Sequence, residues 1–178
     1  MLMDSVFDEN KAYNFDWSYL GDIRTGRENL GPQMPVSVYR LFEYTLRAVL
    51  QKNYKKEGCA DILREAGRLA GREFCTHLLD STLPPDQFIA QLSRVFIDMK
   101  IGVIRIESFD EKQLKGYMTL GEDLDCSGLP VTGETVCNYD EGFLSGILSC
   151  YFKKAVTAVE IDCWAKGDRI CRFDIHRE

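Results

Sequence analysis

The chain reads as an α+β protein, an antiparallel β-sheet with flanking helices, and three observations predict it. Apolar residues recur at helical spacing through residues 35–100, period-two stretches rich in β-branched and aromatic residues dominate the second half, and the links there are of hairpin length. A parallel, doubly wound sheet fits poorly, because it needs a long crossover between successive strands. Of 178 residues, 45% are hydrophobic and 11% aromatic, enough to bury the core of one domain and to exclude disorder.

Residues 1–34 are interrupted by Asn10, Asn14, Asp16, Gly21, Gly26, Asn29, Gly31 and Pro32, so they read as an extended or weakly helical arm. Phe7, Tyr13, Phe15, Trp17, Tyr19 and Leu20 give it more apolar surface than a solvated tail exposes. The arm is expected to pack on its own domain, residues 35–178, or on a second subunit. Pro35 suits the first turn of a helix over 35–53, with Val38, Leu41, Phe42, Thr45 and Val49 on one stripe.

A second helix is expected over 58–80, with Leu63, Ala66, Ala70, Phe74 and Leu78 on its apolar stripe and Arg64, Arg68 and Arg72 on a solvated one. A third opens after Pro84-Pro85 and buries Phe88, Leu92, Val95, Phe96 and Met99. Ile101–Ser108 and Lys115–Leu120 are expected strands, Gly121–Glu134 a loop holding Cys126, and Thr135 the cap of a fourth helix over 136–153. Val156–Trp164 and Arg169–His176 form a final hairpin through Ala165-Lys166-Gly167-Asp168. Gly67-x3-Gly71 and Gly142-x3-Gly146 each place two small residues on one helix face, a pattern of close approach between packed elements.

Charge and cysteine usage narrow the function. Lys and Arg number 22 against 28 Asp and Glu, a formal charge of −6, which repels phosphate backbones and argues against nucleic acid or an anionic membrane as partner. Seven cysteines, an acidic start without a signal-peptide pattern and no long apolar run predict a reduced, cytoplasmic protein without a membrane span. The thiols are then core filler, reactive groups or metal ligands.

Cys137, Glu160, Cys163 and Cys171 form the pattern C-x22-E-x2-C-x7-C. Three thiolates and a carboxylate would make a closed tetrahedral zinc set; the alternative is buried structural thiols with Glu160 facing solvent. Cys163 and Cys171 sit on facing strands of the hairpin, whereas Glu160, three residues before Cys163, points to the other face of a regular strand. A bulge near Ile161-Asp162 is therefore required. Gly116-x4-Gly121 is followed by Glu122-Asp123 where a phosphate loop needs Lys and Ser or Thr, and no G-x-G-x-x-G offers a nicotinamide or flavin site. The two histidines, His77 and His176, fit no catalytic arrangement.

Gly142-Phe143-Leu144-Ser145-Gly146, Val159-Glu160-Ile161-Asp162-Cys163, Lys166-Gly167-Asp168 and Cys171-Arg172-Phe173 resemble the 4-vinyl reductase domain family. Its members include ligand-sensing modules of aromatic-responsive transcription activators. Leu20-Gly21-Asp22-Ile23-Arg24, Arg27-x2-Leu30-Gly31, Val38-Tyr39-Arg40-Leu41 and Ala66-Gly67-Arg68-x2-Gly71 extend the resemblance to stand-alone members over nearly the whole chain. The resemblance implies a structural zinc at Cys137, Glu160, Cys163 and Cys171, within a zinc-bearing part over 136–178. It also implies a fold similar to that of haem-based nitric-oxide sensors and vesicle-tethering subunits, commonly paired as homodimers.

The expected function is binding and sensing of a small apolar or aromatic molecule, in a pocket between the long helices and the sheet, with a regulatory protein as a further candidate partner. Phe42, Phe74, Phe88, Phe96 and Tyr117 are its candidate lining residues. The alternative is a tetrapyrrole vinyl reductase or a protein presenting that substrate. Nothing in the chain recognisably binds an electron donor, which weighs against an enzyme.

Overall fold

The long helix α2, Val36–Leu78, breaks at Lys55, whose φ of 61° and ψ of −178° are non-helical. The two helices expected over 35–53 and 58–80 are thus joined by a single residue. Across the break, the Cys59 thiol lies 3.7 Å from the Arg47 carbonyl oxygen, so the second segment folds back toward the first. Before α2 lie a 3-10 turn, Trp17–Leu20, capped by Asp16, and a one-turn helix α1, Ile23–Gly26, capped by Asp22. After it come α3 (Pro85–Asp98), β1 (Val103–Asp110), β2 (Lys115–Gly121), α4 (Asn138–Phe152), β3 (Val156–Asp162) and β4 (Cys171–Arg177).

This computed structural model describes residues 15–178; Phe7 and Tyr13 of the expected arm lie outside the described residues. The chain divides into two units, Met1–Tyr39 and Arg40–Glu178. The second holds a four-stranded antiparallel sheet in the order β1-β2-β4-β3. Its β3–β4 register shifts between Glu160 and Asp162, the irregularity that the spacing of Glu160 and Cys163 demanded.

Helix α4 is the middle layer, buried on every side from Asp140 to Leu148. One side meets α2 through the two glycine pairs. A Cβ at Gly67 or Gly71 would overlap the carbonyl oxygens of Tyr139 and Phe143, and one at Gly142 or Gly146 would overlap those of Arg64 and Arg68. The approach is reciprocal and made by backbone, so no side chain can yield to make room.

The other side of α4 faces the edge strand β3. Glu141, Ser145 and Ser149, four residues apart, accept the N–H groups of Glu160 (2.9 Å), Ala158 (2.9 Å) and Val156 (3.0 Å). Four residues of helix rise about 6 Å and two of strand about 6.6 Å, so the rows stay in step over three pairs. A strand edge that would otherwise offer free N–H groups to another chain is covered by a helix.

Thr135 does not cap α4: the N-cap is Cys137, with no side-chain hydrogen bond, because the preceding segment is pulled outward to other partners. The core comprises Phe74, Phe88, Leu92, Phe96, Met118, Ile147, Phe173 and Ile175 with their neighbours. Phe74 packs edge-on against Phe96 and Phe143, with centroids 5.9 and 5.1 Å away.

Candidate functional site

Two loops and one hairpin converge beside the N-terminus of α4. Gly167, with φ 116°, closes the turn after β3, and the N–H groups of Gly167 and Asp168 both return to the Cys163 carbonyl at 3.1 Å. The Asp168 carboxylate accepts the Cys163 N–H at 3.1 Å, fixing that thiol opposite Cys171 at the start of β4. The loop after β2 is fastened to the same turn: Thr132 N–H donates to the Ala165 carbonyl at 2.7 Å and the Trp164 indole to that of Leu129 at 3.0 Å.

From the other side, α2 holds both loops. Arg40 donates to the carbonyls of Leu124 (2.7 Å), Asp123 (3.2 Å) and Ser127 (2.9 Å), around Cys126. Arg47 donates to the Val136 carbonyl (2.7 Å) and Asn138 Oδ1 (3.0 Å), on either side of Cys137.

The result is a group of four buried thiols, Cys126, Cys137, Cys163 and Cys171, with sulfurs all within 4.8 Å of one another. Cys137 Sγ lies 3.8 Å from Cys163 Sγ and 3.7 Å from Cys171 Sγ, and Cys126 Sγ lies 3.1 Å from Cys171 Sγ. Three of the four positions named from the sequence meet here. The fourth sulfur comes from Cys126, read above only as a thiol in a loop; no spacing rule signals it, since Arg40 and the turn at Gly167 bring it in.

Glu160 stands beside the group rather than among its four sulfurs. Its Oε2 accepts the Cys137 N–H at 3.0 Å, and its Oε1 is buried without a hydrogen bond. Burial foremost, and then the charge of Cys163, push its carboxyl up to about 8. Hydrogen bonds from Cys126, Cys137 and Cys171 hold the Cys163 thiol well below its usual range, while Cys137 and Cys171 are raised. Without metal, the group therefore behaves as one thiolate solvated by three thiols.

Acidic side chains surround the sulfurs. Asp123 Oδ2 lies 3.4, 3.4 and 3.1 Å from the sulfurs of Cys126, Cys137 and Cys171. Asp123, Asp140 and Cys137 form a second group of buried potential metal ligands within 4.8 Å of one another.

A separate cleft of about 300 Å³ opens between α3, β1, β2 and α4. Ile89, Ile106, Phe109, Met118, Leu148 and Phe152 supply much of its wall, with Tyr151 beside them. None of the five expected lining residues is in it. Phe42 is exposed, Phe74, Phe88 and Phe96 are spent in the core, and Tyr117 lies under the Arg172 guanidinium, 4.6 Å from ring centroid to Cζ. Phe88 is nonetheless one layer behind, stacked on Tyr151 at 3.8 Å.

The Arg stripe of α2 is partly engaged: Arg64 pairs with Glu141 at 2.6 Å and Arg68 with Glu178 at 2.9 Å. No described helix is long and apolar enough to cross a membrane.

Comparison with known proteins agrees with this architecture. The family model of the 4-vinyl reductase domain matches residues 117–177. Two uncharacterized proteins of Methanocaldococcus jannaschii, MJ0150 and MJ1642, are similar to the chain. The first is 27% identical over 65% of this chain and 64% of its own length, the second 33% identical over 48% and 50%. The matches thus span about half to just under two thirds of these curated relatives.

Among solved structures, a vinyl-4-reductase family protein from the same organism superposes with a TM-score of 0.62 at 17% identity, over 99% of this chain and 98% of that one. The phenol-responsive sensory domain of the transcription activator PoxR, solved with phenol, gives 0.63 at 13% identity, over 81% and 75%. Trafficking protein particle complex subunit 3 from Naegleria fowleri, covalently bound to palmitic acid, gives 0.65 at 12% identity, over 80% and 95%. At these identities the structural likenesses establish a shared fold.

Proposed function

With residues 117–177 a 4-vinyl reductase domain, we propose that the protein is a small-molecule binding and sensing module whose cysteine group holds a structural zinc ion. The observation that carries the ligand reading is the cleft. Its volume of about 300 Å³ and its largely aliphatic and aromatic wall suit a small apolar or aromatic molecule. The PoxR domain, of the same fold, was solved with phenol, and the fold neighbour from Naegleria carries palmitic acid.

The zinc reading rests on donor chemistry and spacing. Tetrahedral zinc with bonds of about 2.3 Å sets its sulfurs about 3.8 Å apart. Two sulfur pairs already stand at 3.7 and 3.8 Å, and all four sit at zero exposure. The ion would bind the helix start, the loop and the hairpin together, and Glu160 would hold the Cys137 amide behind it.

A further copy of the chain fits the outward face of α2, where Leu41, Phe42, Leu46 and Val49 are exposed together. This part of the stripe read from the sequence faces away from the domain core, and a homodimer would cover it.

Equilibrium dialysis against a panel of small aromatic and aliphatic compounds tests the ligand reading. Ile89→Trp, placed in the cleft wall, is expected to abolish binding while leaving metal content unchanged. Failure of every panel member to bind the native protein would sink the reading.

A further inference from the structure

Asp123 and Asp140 are 1% and 4% exposed, and one oxygen of each lies within 4.8 Å of the other and of Cys137 Sγ. Asp140 Oδ2 is buried and accepts no hydrogen bond among the described residues. A buried carboxylate left this way costs several kcal/mol unless a cation or proton accompanies it. The nearby guanidinium groups are committed elsewhere: Arg47 to Glu43 and Val136, Arg64 to Glu141, Arg40 to backbone carbonyls.

Loading the four-thiol group sharpens the conflict, and a second ion is inferred only if that proposed metal is bound. Asp123 Oδ2 now receives the S–H groups of Cys126, Cys137 and Cys171. Metal binding strips those protons, and the same oxygen then faces three thiolates at 3.1–3.4 Å. Like charges that close and that dry require a counterion.

We infer that the centre holds two cations: one in the four-thiolate set, and a second divalent ion bound by Asp123, Asp140 and the shared sulfur of Cys137. Two carboxylate oxygens and one thiolate form a donor set of intermediate hardness, suited to zinc or ferrous iron rather than calcium. The second ion neutralises the carboxylates, and sharing Cys137 couples its occupancy to that of the first.

The test is cobalt titration of the metal-depleted full chain, with bound metal counted after dialysis and thiolate-to-cobalt absorption followed in parallel. Native protein is expected to bind about two ions per chain. Asp140→Asn is expected to bind about one, with the thiolate absorption retained, which also shows that the variant folds. Asp123→Asn is expected to repeat that pattern. One ion per native chain with full thiolate absorption, unchanged in Asp140→Asn, overturns the inference and leaves a shared proton between the carboxylates. Absence of thiolate absorption in the native protein overturns the four-thiolate reading, and this one with it.

Discussion

Glu160 Oε2 accepts the backbone N–H of Cys137 at 3.0 Å, joining the strand β3 to the first residue of α4 through a carboxylate. Because the folded carboxyl is raised from 4.5 to about 8, the folded state binds its proton more tightly than the unfolded chain does. Its stabilising contribution is therefore complete below pH 4.5 and lost as pH rises toward 8. In metal-free protein, Glu160→Gln is expected to flatten this decline, so denaturation midpoints of the two proteins should diverge with rising pH. Parallel curves would show that Glu160 is not the titrating group.

Cys126 and Glu160 compete for the fourth ligand position, and substitution separates them. Cys126→Ser is expected to lower zinc affinity by orders of magnitude, Glu160→Gln by about 10–100-fold, the range for an outer partner that orients a ligand. Competition with a chromophoric chelator measures both. The reverse ranking would return the carboxylate to the metal.

Arg40 touches no sulfur, yet it holds three carbonyls around Cys126. Arg40→Ala is expected to weaken zinc binding roughly tenfold, as loss of outer support does, and to leave affinity for ligands of the cleft unchanged. Metal affinity equal to that of the native protein would remove α2 from the site.

Gly67→Ala would ordinarily stabilise a helix by about 1 kcal/mol. Here the new methyl would meet the Tyr139 carbonyl, and overpacking of this kind costs about 1–3 kcal/mol. Net destabilisation in urea is expected, together with loss of the α2–α4 contact that keeps Arg47 over Cys137. An increase in stability would mean that the helices separate without cost.

Ser145→Ala removes the acceptor for the Ala158 N–H in the middle of the covered edge. A loss of about 1–2 kcal/mol is expected, with faster amide exchange at Ala158 and a greater tendency to associate through β3.

The sequence by itself determined the elements and their class. Hydrophobic period, the prolines at 84 and 85, the glycine of the final turn and the paired glycines of α2 and α4 are local signals, and each acts within a few residues of where it stands. Even the bulge before Cys163 was legible, because three residues cannot lie on one face of a regular strand. What only the tertiary structure decided is the company each residue keeps. Cys126 reaches Cys171 through hydrogen bonds from a helix more than eighty positions earlier, which no spacing encodes. Phe74, Phe88 and Phe96 fell to the core and Phe109 and Phe152 to the cleft because packing depth, unlike periodicity, depends on which layer lies behind each face. The pairing of Glu141, Ser145 and Ser149 with β3 belongs to the same order of facts: a match between the rise of a helix and that of a strand, realised only once the two are side by side.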